Sequence, residues 1–462
     1  MNIETLTRIP QEKIMGGLFG IEWEALRIRS DGKLALTPHP SIFGDKLNNP
    51  LVTTDFSESQ IEIITPPYNT TDQAIDTLLL LTDIVNTSLS EDEFLLFQSL
   101  PCILPENDEI PIAKYAENGR KSYQYRKQLA QKYGLKKQMI SGVHFNYSLR
   151  EDFIEELYQQ DSKGLSYKEY KDEVYLKIAR NYLRYSWLII YLTGSSVAAH
   201  KTFIQDCLDL MDGYDNDNSY YSTKGVSLRN ASCGYKNLKK LYPSYENINE
   251  YVNSIQTYIE EGDLSEAKEL YTQIRLKPEN PDDLLTSLQE DGIKYVEIRT
   301  LDTNPYIQSN NLRDDMNFLH IFLIYLLVKE ESQYPDWQKE SKINEELVAE
   351  RVFDDSTRLL KDSNRITFKE WANEILTEIN QMCQELNLDK QYTVKLMQER
   401  IDNPNKTYAK KLLRHTRTDG FITSYVRLAK EIKNKSIENM QNIILDDETE
   451  KIISTTLMGR KN

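Results

Sequence analysis

Gly20-Ile21-Glu22-Trp23-Glu24-Ala25-Leu26-Arg27-Ile28 alternates charged with apolar side chains. Successive side chains of an extended chain point to opposite faces, so Glu22 and Glu24 share one face and their apolar neighbours take the other. Three further stretches read the same way: Thr54-Asp55-Phe56-Ser57-Glu58-Ser59-Gln60-Ile61-Glu62-Ile63-Ile64, Ile140-Ser141-Gly142-Val143-His144-Phe145-Asn146-Tyr147 and Tyr295-Val296-Glu297-Ile298-Arg299-Thr300. Each predicts a strand, with His144 beside Asn146 and Glu297 beside Arg299 on one face. A sheet face this rich in charge is costly unless a cation neutralises it. The pattern points to a site that handles metal and phosphate rather than to a plain core.

Each position also has a plainer reading. Glu22 and Glu24 are ordinary on a solvated strand face, yet Gly16, Gly17 and Gly20 beside them permit close approach of a ligand or backbone. Paired carboxylates suit hard cations, which take oxygen ligands. Asp55 and Glu62 flank a short connection, and Glu62 interrupts a strongly apolar run between two isoleucines. A lone histidine is more often a satisfied core residue, but neutral His144 could complete a mixed oxygen and nitrogen metal site. Glu297 and Arg299 could form a cross-strand ion pair. Alternatively the carboxylate serves a metal and the guanidinium fork a phosphate or carboxylate. Two clusters, Tyr123-Gln124-Tyr125-Arg126 and Ser227-Leu228-Arg229-Asn230-Ala231-Ser232-Cys233-Gly234-Tyr235, combine aromatic groups with arginine and suit small acidic substrates.

Around these motifs, Ser30-Asp31-Gly32-Lys33 reads as a hairpin turn. Helical spacing predicts helices over 71–89, capped by Thr70, Thr71 or Asp72, and over 122–133, ending at Gly134. Residues 166–211 read as mostly helical, and from 311 onward the periodicity is almost wholly helical. The expectation is a single catalytic domain over 1–462, with a sheet-bearing core at 1–310 and a helical region packed on it at 311–462.

The 462 residues carry 39% hydrophobic and 28% charged side chains and a net charge of −16. This suits a soluble globular chain and argues against nucleic acid, whose phosphates need basic patches. The longest apolar run, 318–328, falls short of the ~20 residues of a membrane span. An N-terminus without an apolar stretch and four scattered cysteines favour a reduced, cytoplasmic protein, with disulfide and zinc readings both weak. No GxxxxGK[ST], strand-linked GxGxxG or GxSxG occurs, so a nucleotide must be held by another device, such as metals on a sheet.

Six motifs in this order resemble the bacterial glutamate–cysteine ligase family. They are Phe-Gly-Ile-Glu-Trp-Glu-Ala-Leu-Arg from 19, Thr-Asp-Phe-Ser-Glu-Ser-Gln-Ile-Glu-Ile-Ile-Thr-Pro from 54, Ser-Leu-Pro-Cys from 99, Ser-Gly-Val-His-Phe-Asn-Tyr-Ser-Leu from 141, Ser-Leu-Arg-Asn-Ala-Ser-Cys-Gly-Tyr from 227 and Tyr-Val-Glu-Ile-Arg-Thr-Leu-Asp-Thr-Asn-Pro from 295. The resemblance implies an α+β, glutamine-synthetase-like fold: a curved, mainly antiparallel sheet forming an active-site cradle, with helices outside and a helical C-terminal third. It implies ATP-dependent joining of the L-glutamate γ-carboxylate to the amine of L-cysteine through γ-glutamyl phosphate, the first step of glutathione biosynthesis. By motif position, Glu22, Glu24, Asp55, Glu62, His144 and Glu297 would bind Mg2+, with Mn2+ as an alternative. Arg299 would neutralise the transferring phosphoryl group. Phe56, Tyr125, Arg126, Arg229 and Tyr235 would line the amino-acid sites. No motif assigns the adenine. The length leaves no room for the C-terminal ATP-grasp domain to which some bacteria fuse this ligase, so the expected product is γ-glutamylcysteine. A ligase using another amine, or a non-catalytic metal-binding protein on the same scaffold, are the alternatives.

Overall fold

The structure, a computed structural model, describes residues 2–116, 119–307 and 310–459. Its strands are β1 (Gly17–Arg29), β2 (Val52–Thr54), β3 (Gln60–Ile64), β4 (Glu93–Leu96), β5 (Gly142–Leu149), β6 (Ala198–His200), β7 (Gly213–Tyr214), β8 (Ser219–Tyr221), β9 (Ile274–Lys277), β10 (Tyr295–Asp302), β11 (Leu359–Lys361) and β12 (Asn364–Ile366). Seven form an open antiparallel sheet in the order β2-β3-β1-β5-β10-β9, with β4 on the far half of β1. The expected antiparallel sheet within a helical shell is therefore present.

Register explains why one face is charged. Glu22 pairs with His144, Glu24 with Glu62, and Glu297 with both Asn146 and Arg275. Directly paired residues project to the same side, so the separate polar alternations merge into one surface. The opposite side carries Ile21, Trp23, Ala25, Ile61, Ile63, Phe145, Tyr147, Val296 and Ile298, all essentially buried. Three helices cover it. Thr71–Ser88, capped by Thr70, packs on β1 and β3, and Tyr167–Thr193 packs on β9 and β10. Asn310–Val328 brings His320 against Phe19, ring centres 4.8 Å apart. The run at 318–328 is thus a buried helix, and one apolar cluster extends from Leu6 to Leu457.

Several expectations need correction. Residues 54–64 are not one strand: β2 and β3 are joined by a turn in which Gln60 N–H donates to the Ser57 carbonyl. The polar Ser57-Glu58-Ser59 run offers the backbone turn bonds that compete with extension. Residues 166–211 are mostly helical, as expected, but not continuously: the α-helix ends at Gly194, and β6 separates it from a 3-10 segment, Ile204–Leu210. The C-terminal third includes the β11–β12 hairpin, turned by Asp362 and Ser363 at φ 51° and 66°. Such a two-residue loop requires positive φ at both positions and leaves no trace in helical periodicity. Finally, Cys207 and Cys233 form a disulfide, against the reduced expectation. Spacing along the chain could not foresee it, because the fold brings Ile204–Leu210 beside the loop carrying Arg229. Cys102 and Cys383 are buried free thiols. Among the described residues no helix is long and apolar enough to cross a membrane.

Candidate active site

Every site residue singled out from the sequence lines one cavity of about 550 Å3 over the polar sheet face: Glu22, Glu24, Asp55, Phe56, Glu62, Tyr125, Arg126, His144, Arg229, Tyr235, Glu297 and Arg299. At its floor, His144 Nδ1 lies 2.9 Å from Glu22 Oε2 and 3.3 Å from Glu297 Oε1, while His144 Nε2 is 3.6 Å from Glu24 Oε1. Ligand atoms of Glu22, His144 and Glu297 all fall within 4.8 Å of one another. Buried His144 Nε2 has no hydrogen-bond partner. A donor set of several carboxylates with one unpartnered imidazole nitrogen fits a hard or borderline divalent cation.

The strand irregularity in β10 aims the arginine. Between Ile298 and Leu301 the register with β5 slips by one residue, so Arg299 and Thr300 together oppose a single position. Thr300 turns towards the helices, 2.7 Å from the Tyr182 hydroxyl, whereas Arg299 Nη1 reaches Glu297 Oε1 at 2.6 Å and His144 Nδ1 at 3.3 Å. Bulges of this kind commonly redirect a side chain beside an active site. Lys277 Nζ stands 2.9 Å from Glu297 Oε2 on the other side.

The carboxylates are not electrostatically equivalent. Burial would raise Glu297, but Arg299, Lys277 and Arg275 hold it well below the ordinary range. Burial likewise opposes ionisation of Glu22, yet its bond to His144 leaves it lowered. Glu24 is pushed up to about 8 by burial and the Asp55 carboxylate. Glu62 is raised well above normal by burial and by Glu22, Asp55 and Glu24. Burial and Arg299 lower His144, keeping the imidazole neutral.

The walls come from loops and one helix. Arg126, on the helix Arg120–Tyr133, donates to the Asp55 carbonyl at 2.5 Å and the Thr54 carbonyl at 3.3 Å, so it braces the turn carrying Asp55 and Phe56. Lys268 Nζ sits 4.1 Å above the Tyr125 ring. Tyr235 donates to Gln138 Oε1 at 2.7 Å and lies 2.5 Å from the Tyr271 hydroxyl. Arg229 rests on Gly142, where a Cβ would come within 2.2 Å of its Nη2. Asp302 accepts from Ser195 N, Ser196 N, Ser227 Oγ and Asn230 Nδ2, fixing the Arg229 loop to β10.

Sequence reasoning missed Gln138, Lys236, Tyr271, Gln273, Arg275 and Lys277, which also line the cavity. A signal did exist for two of them: Ile274-Arg275-Leu276-Lys277 alternates apolar with basic residues, but four residues are too few to stand out.

The glutamate-cysteine ligase family profile matches residues 3–265 and 259–348. The glutathione biosynthesis bifunctional protein GshAB of Clostridium perfringens is 38% identical over 92% of this chain and 55% of its own length. The chain thus spans about half the length of such bifunctional relatives. The glutamate–cysteine ligase of Clostridium acetobutylicum is 33% identical over 82% of this chain and 86% of its own. Among solved structures, the glutamate–cysteine ligase of Francisella tularensis in complex with AMP superposes with a TM-score of 0.86 at 26% identity, covering 96% of this chain and 93% of that one. With sheet, cavity and matched residues in agreement, the chain belongs to the glutamate-cysteine ligase family.

Proposed function

We propose that the protein joins the γ-carboxylate of L-glutamate to the amine of L-cysteine at the expense of ATP, with residues 1–462 working as one catalytic unit. The carrying observation is convergence: six carboxylates, one imidazole and four arginines from separate parts of the chain line one cavity. Glu22, His144 and Glu297 would hold one Mg2+, and Glu24, Asp55 and Glu62 would serve a second region of positive charge. When bound, magnesium neutralises phosphate oxygens and lowers the cost of bringing anions together.

The protein's own groups account for the remaining tasks. A glutamate γ-carboxylate oxygen attacks the terminal phosphorus of ATP, and the bond to ADP breaks. Arg299, charged at any working pH and anchored by Glu297, faces the region where the transferring phosphoryl develops charge. The cysteine amine then attacks the acyl carbon, phosphate departs and the nitrogen gives up its proton. Arg229 and Arg126 supply cations for substrate carboxylates, while Tyr125, Tyr235 and Phe56 shape the amino-acid pockets. No protein nucleophile is required, so neither free thiol has a catalytic role.

ADP release, measured with glutamate plus cysteine and then with a panel of other amines, tests the reading. Release with cysteine at the highest specificity is expected. Silence with cysteine and response to another amine would move the acceptor assignment, and silence throughout would remove the ligase.

A further inference from the structure

Asp302, at the end of β10, is a carboxylate only 2% exposed, and among the described residues every hydrogen bond it accepts comes from a neutral donor. Its Oδ2 takes Ser195 N at 2.9 Å, Ser196 N at 3.0 Å and Ser196 Oγ at 2.7 Å. Its Oδ1 takes Ser227 Oγ at 3.0 Å and Asn230 Nδ2 at 3.4 Å. Burying a charge is expensive, and a fully satisfied buried network rigidifies whatever it joins. What this one joins is the support of the cavity.

The donors come from separate segments. Ser195 and Ser196 follow the helix Tyr167–Thr193 at its Gly194 cap, Ser227 and Asn230 flank Leu228 and Arg229, and Asp302 itself stands three residues beyond Arg299. Ser196 extends the tie: its carbonyl accepts from Leu228 N at 2.6 Å and its Oγ from Arg229 N at 3.2 Å. The backbone of Asp302 pairs with Gly142, the residue on which the Arg229 guanidinium rests. One residue thus holds the loop carrying Arg229 with its side chain and the floor beneath Arg229 with its main chain. Among the described residues the guanidinium itself makes no hydrogen bond, so its place is set by these supports. Burial and Arg299 work against the positive charge of Arg229, and the Asp302 carboxylate does most to favour it. Without that carboxylate, two buried guanidinium groups would repel each other across the cavity.

We infer that Asp302 is a positioning residue, which sets the distance between Arg299, at the transferring phosphoryl group, and Arg229, at a substrate carboxylate. An amino acid that reacts at one end and is gripped at the other must span that gap. A misplacement of about 1 Å is enough to cost about 10²-fold in rate. Asp302 touches no reactant and acts through Arg229. The inference rests on the ligase reading above and adds to it the residue that keeps the two arms of the cavity in register.

Two readouts on the full-length chain test it: KM values for L-glutamate, L-cysteine and magnesium-ATP, and calorimetric titration with each amino acid without turnover. Asp302→Asn keeps an oxygen for Ser195 and Ser196 but turns an amide towards Asn230, so the loop is released while the helix end stays tied. At least one amino-acid KM, and the matching dissociation constant, should rise about tenfold, the scale of one hydrogen bond to a charged group. The KM for magnesium-ATP should stay as in the parent. Ser227→Ala, which removes one donor from the loop side, should give the same split at several-fold. Thr70→Ala, which destabilises the opposite face, should move no KM. A purely structural role predicts fewer active molecules with every KM unchanged. That result in Asp302→Asn and Ser227→Ala, or a rise shared equally by magnesium-ATP, overturns the assignment. Should Asp302→Asn fail to fold, Ser227→Ala decides alone. A parent that binds neither amino acid also overturns it. Weaker amino-acid binding in the variants, with no ADP released by the parent, removes the ligase reading and leaves the positioning role standing.

Discussion

Two groups of acids on the same sheet face behave oppositely. Glu22 and Glu297 sit among His144, Arg299, Arg275 and Lys277, and both are held ionised. Glu24 and Glu62, facing Asp55, are pushed towards the protonated form by burial and mutual repulsion. The first group is charge-balanced by the protein itself, whereas the second is completed only by a proton or an added cation. Similar residue types, a few ångströms apart, are thus divided into a preformed anion set and a set that waits for its counter-charge.

The sharpest test of the balanced group is Arg299→Ala. Turnover should fall by about 10²–10³, the loss typical of a group that stabilises transition-state charge. Folding should suffer far less, since Lys277 remains 2.9 Å from Glu297. A variant that unfolds yet keeps normal activity per folded molecule would break the comparison. For the unbalanced group, Glu62→Gln should abolish most activity yet make the metal-free protein at least as stable as its parent near pH 8. Urea melts without magnesium check this, and a large loss of stability would contradict it.

A pH series separates the groups further. Glu24 and Glu62 have folded pKa values above the unfolded one, so folding favours their protonated forms. That contribution is complete below the unfolded value of 4.5 and is lost as pH rises through about 8 for Glu24. The metal-free melting temperature should therefore decline across this window. Magnesium, replacing the proton, should raise it more at pH 9 than at about pH 6. Equal shifts at both values would show that these acids do not meet the ion. The smallest effect belongs to the opposite face. Thr70→Ala removes the side chain that caps Thr71–Ser88, costing about 1 kcal/mol of stability with turnover unchanged.

Much of the site was legible because alternation in β1, β5 and β10 dictates which residues share a face, and antiparallel pairing then brings those faces together. Neither needs tertiary knowledge beyond the sheet. What stayed hidden had no local signature. Arg275 and Lys277 occupy a strand of four residues, and their importance comes from pairing with Glu297 rather than from their own segment. The turn between β2 and β3 was masked by apolar residues on both sides. The Cys207–Cys233 bond depends on two loops meeting, and the unequal acidity of Glu22 and Glu24, two residues apart, depends on their neighbours across the strands: His144 bonds Glu22, whereas the Asp55 carboxylate repels Glu24.

The extra residue in β10 also sets how errors in this chain would be felt. Deleting one position between Ile298 and Leu301 would give the ladder with β5 ideal pairing, yet it would leave one side chain to do the work of two. Either the guanidinium would vanish from the cavity or the hydroxyl that meets Tyr182 would be lost. A more regular sheet would thus be a poorer enzyme, and variation in this segment should tolerate exchange of residues more readily than any change in their number.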